Sequence, residues 1–178
     1  MKTIIFTLAI AMASLSYAQN QDEGTKFQGH QNLIGGTWKS TSGAAWGDGT
    51  PFKLYIEFEA SLNGNIIKSQ TKGNISEKAY EFGLRSEGIV SYDNEEKKIK
   101  FYEFDVFGNL TTGEVKYQNN SMYYSYKYAA SKTNLILTDC WEFIDKNTYN
   151  FTVGVYDNLN NKWEKKFLET QFKRSKDE

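Results

Sequence analysis

Two carboxylates in this sequence sit where a carboxylate is costly. Glu103 follows Ile99 and Phe101 at alternate positions, and Asp139 falls inside the run Leu135 to Ile144, which is otherwise rich in Leu, Ile, Cys, Trp and Phe. If the alternating faces point inward, burial disfavours the charged form and raises the pKa. A carboxyl tuned towards neutrality in this way can serve as a general acid or base. A hydrogen-bonded interior polar group, or a residue near a strand end, produces the same pattern without catalysis. Beside these carboxylates lies an unusual density of rings. Tyr124, Tyr126 and Tyr128 share one face with Met122, and Trp141 and Phe143 share a face of the next segment. Turned inward, they would either line a cavity with apolar walls and hydroxyl donors or simply fill a core. The candidate ligand contacts are therefore Trp46, Phe58, Phe101, Tyr124, Tyr126 and Trp141, and the candidate catalytic groups are Glu103 and Asp139.

Other chemistry has little to work with. The sole histidine, His30, lies in a polar stretch with no partner in view to orient it, and reads as an exposed residue. No His, Cys and carboxylate grouping has metal-ligand spacing, and no glycine-rich loop opens a helix, so neither a metal nor a cofactor is expected. The only cysteine, Cys140, excludes an intramolecular disulfide and reads as a small buried hydrophobe. The 21 Lys and Arg against 22 Asp and Glu are scattered along the chain. That balance disfavours nucleic acid and anionic membrane surfaces as partners.

The elements that must position these residues are strands. Residues 1–18 read as an export signal: Lys2, an apolar run from Ile4 to Ala13, then Ser16-Tyr17-Ala18 with small residues at the two positions a signal peptidase reads. The apolar run falls well short of the roughly twenty residues that span a bilayer, so the product is expected to be exported, periplasmic or secreted, with no membrane span. Residues 19–32 form a polar arm, 33–174 one domain and 175–178 a tail. Within the domain, Phe52, Leu54, Ile56 and Phe58 alternate with Lys53, Glu57 and Glu59, as in a half-buried strand. Asn63-Gly64, Asp93-Asn94, Gly108-Asn109, Asn119-Asn120 and Lys146-Asn147 mark turns between similar segments. A strand is expected over Leu33 to Ser40, and Ala79 to Ser86 should carry Tyr80, Phe82 and Leu84 on one face. Ten strands joined by turns too short for parallel crossovers must be antiparallel neighbours. Closing them on themselves removes the exposed edges, giving an all-β, closed, up-and-down antiparallel barrel. The loop from Thr41 to Pro51 is too long for a hairpin turn and carries Trp46, so it is expected to fold over one mouth.

The Gly36-Thr37-Trp38 opening, the meander, Tyr92-Asp93 before a hairpin and the terminal Lys173-Arg174 are similar to calycins, the superfamily that includes lipocalins. More closely, the chain resembles lipocalin-like barrels of secreted bacterial proteins related to the ten-stranded nitrobindin fold. The resemblance implies that Gly36, Trp38 and Arg174 close one end of the barrel, with the guanidinium packed on the indole. It departs from nitrobindins in lacking the late histidine that holds haem. The expected function is a non-catalytic binding protein for a small apolar or aromatic molecule. A barrel enzyme of isomerase or cyclase type, using an interior carboxylate with a tyrosine, and a protein-interaction module with a filled barrel remain open.

Overall fold

Period-two alternation does build strands here. The computed structural model describes residues 26–127 and 135–175. The expected signal at 1–18, the first part of the arm, Tyr128 and residues 176–178 of the tail lie outside the described residues. The strands are β1 (Thr37–Ser40), β2 (Tyr55–Ser61), β3 (Ile66–Asn74), β4 (Phe82–Asp93), β5 (Lys98–Asp105), β6 (Leu110–Gln118), β7 (Ser121–Lys127), β8 (Ile136–Asp145), β9 (Thr148–Asp157) and β10 (Lys162–Ser175). A single helical turn, α1 (Gln28–Gln31), precedes them. Each strand pairs antiparallel with its neighbours in sequence, and β10 returns to pair with β1, so the sheet is a closed up-and-down barrel.

Register decides which side chains face inward. Trp38 lies opposite Ile56 and Arg174, Ile67 opposite Val90, Phe101 opposite Gly113, and Trp141 opposite Met122 and Phe151. Most of these are buried. On the β8, β9, β10 and β1 side the interior is filled with rings. Trp141 stands 4.8 Å from Phe151 and 4.9 Å from Phe172, and Trp38 5.0 Å from Tyr149, centroid to centroid. The inward positions of β3 and β4 are mixed: Ile67 and Val90 are large and buried, and Ser69, Thr71, Ser86 and Gly88 are small.

Two expectations change. The first strand begins at Thr37 rather than Leu33, because Leu33 and Ile34 run across the floor of the barrel, with Leu33 wholly buried. Gly35 and Gly36, both at positive φ, then turn the chain up into β1. A Cβ at Gly36 would stand 3.0 Å from the Ser175 carbonyl and 3.2 Å from Arg174 Cγ, so glycine there answers both the turn and the close approach. Tyr80 is exposed and precedes β4, and on β4 Leu84 is exposed rather than inward, since an irregularity opposite Thr71 and Lys72 leaves Arg85 unmatched and resets the parity to Ser86, Gly88 and Val90. The loop before β2 is tied to the rim by an Ala45–Pro51 bridge and a 2.9 Å bond from Gly47 N–H to the Phe167 carbonyl. Its half-buried Trp46 packs edge-on against Phe52, with centroids 5.5 Å apart.

At the opposite end, Arg174 lies over the Trp38 indole, 4.7 Å from the ring centre to the guanidinium carbon. It donates to the carbonyls of Ile34 and Asn32, while the indole N–H donates to the Leu33 carbonyl at 2.8 Å. One cation and one ring thus satisfy three floor carbonyls and cover the wholly buried Trp38. Truncating Trp38 to Ala should cost about 3 to 5 kcal/mol, the range for a lost core aromatic. Arg174→Met should cost less but remain destabilising. Urea unfolding of both variants measures this, and a loss under about 1 kcal/mol for Trp38→Ala contradicts the closure described.

Candidate functional site

The floor carries the first constellation. Phe27, His30 and Leu33 recur every three residues and place one face of α1 and its flank into the base of the barrel, where all three are buried. Gly29 makes the fit possible, since a Cβ there would lie 2.4 Å from the Tyr117 ring and 2.8 Å from Met122 Cγ. His30 has no exposed surface, and its Nδ1 meets the Tyr117 hydroxyl while its Nε2 meets that of Tyr124. The rings of Phe27, Phe58, Tyr117 and Tyr124 surround it edge-on at 5.7 to 6.3 Å. Burial pulls its pKa down to about 3, so the imidazole is neutral at ordinary pH. The sequence reading of His30 as an exposed arm residue is thus overturned. Its neighbours Gln28, Gln31 and Asn32 are exposed and set the local composition, whereas the three-residue spacing of Phe27, His30 and Leu33 was the signal of burial.

Higher in the barrel lies the second constellation. Asp139 faces inward on β8, directly across from Tyr124 on β7, and its Oδ1 accepts a 2.9 Å bond from the Tyr126 hydroxyl. Burial pushes Asp139 up to about 7; the tyrosine bond opposes the shift and the nearby Glu103 adds to it. Glu103, across from Gly88 and Thr111, is raised chiefly by burial, with Arg85 and a Ser86 hydroxyl bond pulling the other way. Burial also raises Tyr124, helped by Tyr117, Asp139 and Glu103. These groups therefore share one electrostatic environment. Phe101 supplies the wall, 5.2 Å from Tyr124 and 5.8 Å from Tyr126.

Of the residues singled out by sequence, Phe58, Phe101, Tyr124, Tyr126, Trp141, Glu103 and Asp139 face this common interior, with Phe58 6.0 Å from Trp141. Trp46 stands apart at the rim, and Gly36, Trp38 and Arg174 form the floor. Two grooves of about 590 and 380 Å³ lie along the wall, the first lined mostly by outward residues such as Glu57, Lys68, Glu87 and Phe104 but also by Phe58, Ser69 and Gly88, the second beside Tyr123, Cys140 and Trp163. Burial pushes the Cys140 thiol up to about 11, which keeps it protonated and unreactive at neutral pH. The interior is where His30, Glu103 and Asp139, with shifted protonation, converge. Among the described residues, no group of three or more His, Cys, Asp or Glu is placed to hold a metal ion.

This arrangement can do two things chemically. Ring walls with inward hydroxyls can hold a small apolar molecule, and a carboxyl near neutrality bonded to a phenol can exchange a proton. No family model matches the chain, and no curated protein matches it.

Proposed function

We propose that this barrel binds a small apolar or aromatic molecule in its interior, between Phe101, Tyr124, Tyr126 and Trp141. One observation carries the reading. Tyr124, Glu103 and Asp139 point inward and are heavily desolvated, yet each, like Tyr126 beside them, is half-buried rather than sealed, as in a narrow space walled by protein. The small inward residues of β3 and β4, facing ring-bearing strands, support it. Kinship with lipocalin-like calycins is part of this proposal, supported by the Gly36-Thr37-Trp38 opening and the Arg174 contact. So is export, for which Lys2, the Ile4 to Ala13 run and Ser16-Tyr17-Ala18 speak.

A second reading, acid–base catalysis on a bound substrate, is favoured by the Tyr126–Asp139 bond. A carboxyl poised near pH 7 and oriented by a phenol is suited to moving a proton within a ligand.

Titration of the fluorescent apolar probe N-phenyl-1-naphthylamine tests the binding reading. The expected result is a saturable rise with one probe per chain that Tyr126→Trp, which fills the interior, abolishes and Phe104→Ala, on the outer wall, leaves unchanged. The reverse pattern would move binding to the outer groove. The protonation of Asp139 has its own test. Its pKa in the folded chain lies above the unfolded value, so from about pH 4 to pH 7 the folded state holds a proton that the unfolded state has lost. Stability from this group therefore falls as pH rises through that window. His30, with a lowered pKa, acts in the opposite sense between about pH 6.5 and pH 3. Because His30 is common to both proteins, the difference between wild type and Asp139→Asn isolates the carboxyl. Asp139→Asn should gain relative stability steadily from pH 4 to pH 7, read by urea unfolding across pH, and a constant difference would show that Asp139 is not held protonated.

A further inference from the structure

The hydrogen bonds of His30 leave one proton over. A neutral imidazole has one N–H and one bare nitrogen, so of the two tyrosines bonded to it, one donates and the other accepts. The accepting tyrosine keeps its own hydroxyl proton for another partner. We assign Tyr117 as the donor to the ring: its oxygen faces the His30 backbone N–H, which lies in the first turn of α1 and has no acceptor within the helix, so its own proton turns to Nδ1. Nδ1 is then the bare nitrogen and Nε2–H donates to Tyr124. Among the described residues His30 is the only hydrogen-bond partner of the Tyr124 hydroxyl, whose proton is thereby directed away from the floor, into the space beside Phe101 and Asp139.

We propose that Tyr124, oriented by His30, is the hydrogen-bond donor for a carbonyl-type oxygen of the bound molecule, so that the barrel prefers a neutral aromatic carbonyl compound to the matching hydrocarbon or carboxylate. This deepens the interior-binding reading and rests on it. The remaining groups around the space fit the choice. Glu103 from β5 and Asp139 from β8 oppose an anion, and Arg85 from β4, the cation nearest Glu103, is bonded at 2.6 Å to the Asn74 carbonyl at the rim. Phe101 and Tyr126 provide apolar faces for a ring. His30 is a positioning residue: it touches Tyr124 rather than the ligand.

Displacement of N-phenyl-1-naphthylamine by 2-acetylnaphthalene, 2-ethylnaphthalene and 2-naphthoate at pH 7 tests this. The ketone should displace the probe about 3- to 10-fold better than the ethyl compound, the worth of one hydrogen bond, with the carboxylate weakest. Tyr124→Phe should remove the ketone's advantage over the hydrocarbon. His30→Leu should equalise them too, and His30→Gln, whose amide supplies both an acceptor and a donor, should restore the difference. Equal displacement of the probe by all three compounds from the wild-type protein overturns the proposal and leaves interior binding standing. Failure of the probe itself to bind removes both. Nitrogen-15 spectra of His30 in the wild-type protein give a check independent of any variant's folding: the Nε2–H tautomer is expected, and the Nδ1–H tautomer would overturn the assignment of the donor.

Discussion

The pairing of β10 with β1 is the constraint on which the rest of this molecule depends. Without it the ten strands would be an open sheet with two unpaired edges and an interior exposed to water. With it, Trp38 and Arg174 are brought opposite each other, and the chain before β1 is held under the barrel. The arginine then acts twice, as a cation over the indole and as a donor to the carbonyls that cross the floor. A lysine could supply the charge but not the fork of donors.

Closing the floor also builds the site. The residues that lead into β1 carry His30 into the base of the barrel, so the same short segment supplies a plug and a polar anchor for two tyrosines from β6 and β7. Above it the interior divides. Rings from β8, β9, β10 and β1 pack solidly, whereas β3, β4 and β5 set small or ionisable side chains among Ile67, Val90 and Phe101, and the Tyr126 hydroxyl meets Asp139 nearby. Ring packing is concentrated in one half and the titratable side chains in the other. Polar groups in the second half cost stability, as the raised pKa of Asp139 records, and that cost is one reason to regard the second half as a site rather than a core.

Much of this architecture was legible in the chain. Strict alternation in Phe52 to Phe58 and Ile99 to Glu103, with Asn and Gly between segments, specifies antiparallel strands because period two admits no other regular structure. Parity put Glu103 on the face of Phe101, Asp139 on that of Trp141, and Tyr124 with Tyr126, leaving open whether those faces turn inward. Parity failed at Tyr80, which precedes β4, and at Leu84, where a bulge, invisible to any count of alternate residues, shifts the strand by one. Burial of His30 was missed for a different reason. A single helical turn offers only the three-residue spacing of Phe27, His30 and Leu33, and its polar neighbours mask that face, which fits only because Gly29 lets the turn press against Tyr117. Whether inward rings fill a barrel or line it depends on volumes summed around ten strands, which no local pattern reports.

The central claim is that the interior beside Asp139, not the outer grooves, is the place where this protein meets its ligand. A crystal structure of the protein soaked with N-phenyl-1-naphthylamine tests it most directly. Density for the probe between Phe101, Tyr124, Tyr126 and Asp139 is the predicted result, and density confined to the outer wall beside Phe104 or Trp163 would contradict it.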